Sequence, residues 1–136
     1  MFKRISKTED KILQAANIVF LLYGYHGATL QQIATEADVN KAAIHYYFRS
    51  KEMLYFKVVK KVLDLIQGEE IQLITDKKLF EKTRWFLFTE LYNNEVLFLG
   101  KVKELYPDDW DKKINQIKKW LEFSNNESSM LSDGSD

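Results

Sequence analysis

Few side chains in this sequence can do covalent chemistry. It contains no Cys and only two His, His26 and His45. The missing thiols exclude disulfide frameworks, thiolate metal sites and cysteine nucleophiles. Two histidines are too few for a multi-histidine metal centre. No glycine-rich phosphate loop and no paired carboxylates at a recognisable spacing are present, so neither an enzyme nor a cofactor is expected. What remains is non-covalent recognition. The chain of 136 residues carries 20 Lys+Arg against 20 Asp+Glu, a net charge of zero. That balance hides an asymmetry. Residues 1–66 hold ten basic and six acidic side chains, a surplus of +4, whereas residues 67–136 hold ten and fourteen, giving −4. A basic N-terminal half suits an anionic partner, and the acidic half faces elsewhere.

The elements that must position these side chains read as helices. Five Gly and one Pro disfavour a turn-rich β protein. Ser6 with Glu9 fits a capping box, with Thr8 as an alternative cap. Ile12, Ala15, Ala16, Val19 and Phe20 then form one apolar stripe, and Gly24 supplies a stop. Thr29 with Gln32 opens a second helix carrying Leu30, Ile33, Ala34 and Ala37. Asn40 caps a third, carrying Ile44, Tyr47 and Phe48. Only Asp38 and Val39 lie between them, so the two short helices must cross sharply, with Ala34 and Ala37 at the crossing. Asp38 stands where one residue needs φ > 0, which Asp tolerates better than most. Ser50 caps a long helix through about Gln67, with Met53, Leu54, Val58, Lys61, Val62, Leu65 and Ile66 on its apolar side.

The stretch from Thr8 to Leu65 resembles the DNA-binding domain of TetR/AcrR-family transcriptional regulators. The match runs through Ile12-Leu13, Ala15-Ala16, Phe20, Tyr23-Gly24-Tyr25, Thr29, Ile33-Ala34 and Ala37-Asp38-Val39-Asn40. It ends with Ile44-His45-Tyr46-Tyr47-Phe48-Arg49-Ser50-Lys51-Glu52-Met53-Leu54. The resemblance implies an all-α fold: a three-helix helix-turn-helix domain over residues 1–50, joined by a long helix to a small helical C-terminal domain within 51–123. Residues 124–136 read as a polar, disordered tail. It further implies that the positions matching Thr29, Asn40, Lys41, Ala42, His45, Tyr46, Tyr47 and Lys51 touch double-stranded DNA. In such a motif the second helix enters the major groove with its first residues near base edges. Lys41, Ala42 and His45 would face the groove, and small Ala42 suits a thymine methyl. Tyr46, Tyr47 and Lys51 would lie nearer the phosphates. The sequence departs from the family pattern at His45 (usually Tyr), at Tyr47 (often His), at Asp38 and Ala42 (often Gly), and at Ala43 (often Thr). These changes bear on which operator is read.

Family members carry a helical C-terminal domain that binds an effector and forms a homodimer. Here residues 76–123 hold ten aromatic residues, among them Trp85, Phe88, Tyr92 and Phe98. These four could line a pocket for a small apolar effector, or belong to a core and dimer face. Pro107 divides this half. Beyond it Trp110, Ile114, Ile117 and Leu121 form a wide apolar face, expected at the dimer interface. No segment reaches the roughly 18–20 apolar residues of a membrane span, and no secretory h-region opens the chain. With the absent cysteines, this points to the cytoplasm and to no membrane partner. The leading expectation is a dimeric DNA-binding repressor. The alternative is a protein-interaction adaptor on the same scaffold, without specific operator binding.

Overall fold

In the computed structural model, the backbone is described for residues 6–65 and 77–133, and the side chains for 6–64 and 77–122. The helix end expected near Gln67, the basic pair Lys3 and Arg4, and the aromatic ring of Phe123 lie outside the described residues. Seven helices are present among those described: α1 (Lys7–Gly27), α2 (Leu30–Ala37), α3 (Lys41–Phe48), α4 (Lys51–Leu65), α5 (Lys77–Asn93), α6 (Glu95–Leu105) and α7 (Trp110–Asp133). The fold is all-α. Among the described residues no helix is long and apolar enough to cross a membrane.

Helix α1 is the organising element because its apolar stripe is met from several sides. Ile12, Ala15, Ala16, Val19 and Phe20 are all buried. They pack against α2, α4 and α5, with a smaller contact to α3. Ser6 starts α1 by accepting the Glu9 N–H at 3.0 Å. Gly24 interrupts it with φ 72° and ψ 179°, after which a last helical turn runs to Gly27. That backbone region is almost closed to residues with a Cβ. A Cβ at Gly24 would also stand 3.2 Å from the Glu90 Oε2. Gly24→Ala is therefore expected to cost on the order of 1–3 kcal/mol. Urea titration of the variant checks this, and an unchanged midpoint would remove the constraint.

One hydrophobic cluster runs through both halves of the chain. Tyr55 on α4 is fully buried, while Met53, expected on the apolar side, is 49% exposed. The stripe of α4 is thus rotated relative to the sequence reading, because Tyr55 is drawn against Phe20 at a centroid distance of 5.5 Å. Asn94 separates α5 from α6 with φ −137° and ψ 40°. Pro107 ends α6 as expected, leaving Tyr106 extended-like at φ −132° and ψ 68°.

Helix α7 bears on two expectations. The tail is not irregular throughout, since α7 continues to Asp133. Its polar residues include no Gly or Pro before Gly134, so nothing in the backbone forbids the helix. The second concerns the apolar face of α7. Ile114, Ile117 and Leu121 are buried, and Trp110 is at the edge with 36% exposure. Helix α7 packs on α5 and α6, and Trp120 meets Phe80 edge-on at 5.4 Å. Much of the face expected to bind a second copy is thus covered by α5 and α6.

Candidate nucleic-acid interface

Helices α2 and α3 form a tight pair whose geometry follows from three local devices. Thr29 and Gln32 make a reciprocal capping box: the Thr29 hydroxyl accepts the Gln32 N–H at 3.0 Å and the Gln32 side chain accepts the Thr29 N–H at 2.8 Å. Asp38 ends α2 in the left-handed region, with φ 56° and ψ 49°. The Val39 N–H then donates to the Ala34 carbonyl at 3.0 Å, closing the turn. Asn40 starts α3 by accepting the Ala43 N–H on its side-chain oxygen at 3.0 Å. Buried Ala34 and Ala37 let the helices approach closely.

Ile44 and Phe48, one turn apart, hold α3 to the core. The helix therefore turns Lys41, Ala42, His45 and Tyr46 outward, all four exposed. Tyr46 is 79% exposed. Thr29 and Asn40 are exposed at the starts of their helices. Both keep donor capacity after capping, a hydroxyl proton and an amide NH₂ respectively. Tyr47 is half-buried and meets Tyr46 edge-on at 4.9 Å. It therefore has a packing role beside the core. His45 Nδ1 lies 3.4 Å from the Arg49 carbonyl, a long contact that steadies the ring.

Lys51 begins α4, just after Ser50, whose hydroxyl accepts the Met53 N–H at 3.1 Å. Its ammonium stands 4.4 Å above the Tyr25 ring. Partial burial lowers the Lys51 pKa, and the negative charge of Glu90 acts in the opposite direction. Lys51 thus sits at a helix N-terminus, where free backbone N–H groups also favour an anion. Two features escaped sequence reasoning. Arg49 has φ 70°, a turn that its type does not signal. Tyr25 belongs to the Tyr23-Gly24-Tyr25 string, which was the one available hint to its place beside Lys51.

The four expected effector residues do not come together. Phe98 is fully buried in the core, whereas Trp85, Phe88 and Tyr92 are 62%, 42% and 62% exposed on α5. Phe88 lies between the other two, with centroids 6.2 Å from Trp85 and 4.9 Å from Tyr92. Trp85 and Phe88, with Glu81 and Arg84, line an open cleft of about 400 Å³. The helical period explains the split: on α5 the residues Phe86, Leu87, Glu90 and Leu91 face inward, so 85, 88 and 92 must face out.

A capped, closely crossed helix pair that presents polar and small residues from its second member defines a helix-turn-helix domain. Residues 12–58 match the family model described as bacterial regulatory proteins, tetR family. Over 63 residues the chain is 43% identical to the HTH-type transcriptional regulator RutR of Escherichia coli, covering 46% of this chain and 30% of RutR. It is 36% identical over 74 residues to the HTH-type transcriptional repressor NicS of Pseudomonas putida, covering 54% of this chain and 35% of that protein. The matched region thus spans about a third of the length of these curated relatives. Among solved structures, a HlyIIR mutant protein with a linker containing two thrombin sites superposes with a TM-score of 0.55 at 27% identity, covering 87% of this chain and 73% of that one. Another HlyIIR mutant, with a GSSGSSG linker, gives 0.57 at 22% identity and shares the fold, covering 96% and 90%.

Proposed function

We propose that the chain is a DNA-binding transcriptional regulator that represses by gripping operator DNA as a homodimer. The observation that carries this reading is the outward row Lys41, Ala42, His45 and Tyr46 on α3, flanked by Thr29, Asn40, Tyr47 and Lys51. Lys41 and His45 read base edges, Ala42 allows close approach, and Thr29, Tyr46, Tyr47 and Lys51 grip phosphates. Its role is recognition, not catalysis, and it acts in the cytoplasm. One short helix makes few contacts. Two half-sites about one DNA turn apart supply the affinity that it lacks. Repression is supported by the relatives: NicS is described as a repressor and IcaR of Staphylococcus aureus as a negative transcriptional regulator.

Release follows from a small apolar effector in the cleft of Trp85 and Phe88, provided that it binds one arrangement of the dimer better than the other. The same exposed aromatic face favours the second reading, an adaptor that docks a protein there. Fluorescence anisotropy on labelled duplex from the region upstream of its own gene separates the two. The regulator is expected to bind saturably in the presence of competitor DNA, with log affinity falling linearly as log salt rises. Loss of binding on adding competitor would favour the adaptor.

A further inference from the structure

We propose that Glu90 of α5 is a positioning residue for the DNA-facing surface, holding Tyr25 and, through it, Lys51. The proposal rests on the DNA-binding reading above. Glu90 is 2% exposed. A carboxylate taken out of water is costly unless its lone pairs are satisfied and opposite charge is near. The structure supplies both. Its Oε1 accepts the Tyr25 N–H at 2.9 Å, and the buried Tyr55 phenol lies near it. The Lys51 ammonium lies within reach of its field.

The Tyr25 N–H is free for this bond because Gly24, at φ 72° and ψ 179°, takes the backbone out of the helical ladder. The bare Cα of Gly24 is also what leaves room for the Glu90 Oε2. Kink and carboxylate are thus fitted to each other. Tyr25 is fixed on a further side by the Tyr55 ring, edge-on at 4.8 Å, and Lys51 rests over its face at 4.4 Å. A chain of contacts therefore runs from α5 through the kinked end of α1 to the first turn of α4. The aromatic cleft lies on the opposite face of the same helix, since Trp85 and Phe88 are rotated away from Glu90.

The test compares wild type with Glu90→Gln, which keeps the shape but removes the charge. NMR is expected to show the Tyr25 amide proton moving upfield, since a neutral acceptor is weaker, and the Lys51 ammonium titrating at lower pH. Affinity for a labelled random-sequence duplex at low salt is expected to fall about five- to tenfold, and the loss to vanish in a Lys51→Ala background. If Glu90→Gln does not fold, Glu90→Asp draws the carboxylate back by one methylene from the Tyr25 N–H and is read by the same Tyr25 amide shift and duplex affinity. Wild type and Glu90→Gln binding equally well would overturn the proposal alone. So would an equal loss in the Lys51→Ala background. A wild type that binds no duplex at any salt would overturn the DNA-binding reading and the proposal with it.

Discussion

Replacing Lys41 and Lys51 together by alanine is expected to weaken duplex binding by at least about 100-fold, since hydrogen bonds to a charged group are worth roughly 1.5–3 kcal/mol each. The slope of log affinity against log salt should fall by about one, for the phosphate neutralisation lost with Lys51. Both residues are the first of their helices, where alanine is well tolerated, so the fold should survive. Circular dichroism checks that condition. The single variants distinguish the roles. Lys41 is exposed and Lys51 half-buried over Tyr25, so Lys51→Ala should also disturb the packing of Tyr25. An unchanged salt slope in the double variant would move the phosphate grip away from α3 and α4.

The helix-turn-helix was legible because its determinants are local. A cap such as Asn40 acts on a residue three positions away, and the turn at Asp38 is closed by carbonyls of Ala34 and Thr35. Short-range rules reach such features directly. The second half was less legible because its outcome depends on which apolar faces meet. Nothing local to Ile114, Ile117 and Leu121 tells whether their partner is α5 and α6 of the same chain or a second copy. A periodic apolar face looks the same in either case. Phe98 and Phe88 illustrate the same limit: both are Phe in a helical segment, one fully buried and one 42% exposed. Glu90 was hidden for a different reason. A glutamate in a helix reads as surface, and its partners Tyr25 and Tyr55 lie far away in sequence. Only the tertiary fold brings them to it.

Tyr55 is where this hidden layer should have its largest effect on stability. The side chain is fully buried, with its ring edge-on to Phe20 at 5.5 Å, Tyr25 at 4.8 Å and Phe86 at 6.3 Å. Its hydroxyl accepts from the Asn94 amide at 3.4 Å and lies near the Glu90 carboxylate. Tyr55→Ala removes a large aromatic from the core, which typically costs about 3–5 kcal/mol, and it also takes away the acceptor of the buried Asn94 amide. Against a usual total of roughly 5–15 kcal/mol, the variant should be close to unfolding at room temperature in modest urea. Tyr55→Phe keeps the ring and should cost only about 1–2 kcal/mol. That pair of variants separates packing from hydrogen bonding, and equal costs would refute the separation.

The same phenol gives a pH signature. Burial, reinforced by the negative charge of Glu90, pushes its pKa well above the ordinary 10.0. The folded state therefore keeps the proton when the unfolded chain has lost it. The stabilisation is fully present below about pH 10 and declines above it, by about 1.4 kcal/mol for each pH unit. Urea titrations at rising alkaline pH should show this decline in wild type and a shallower one in Tyr55→Phe. Tyr25, also raised by burial, and Lys60, raised by its hydrogen bond to Asp64, contribute alkaline loss to both proteins, so the difference between the two curves is the quantity that isolates Tyr55. Parallel curves would mean that the hydroxyl ionises as freely in the folded protein as in the unfolded chain, which its burial against Glu90 forbids.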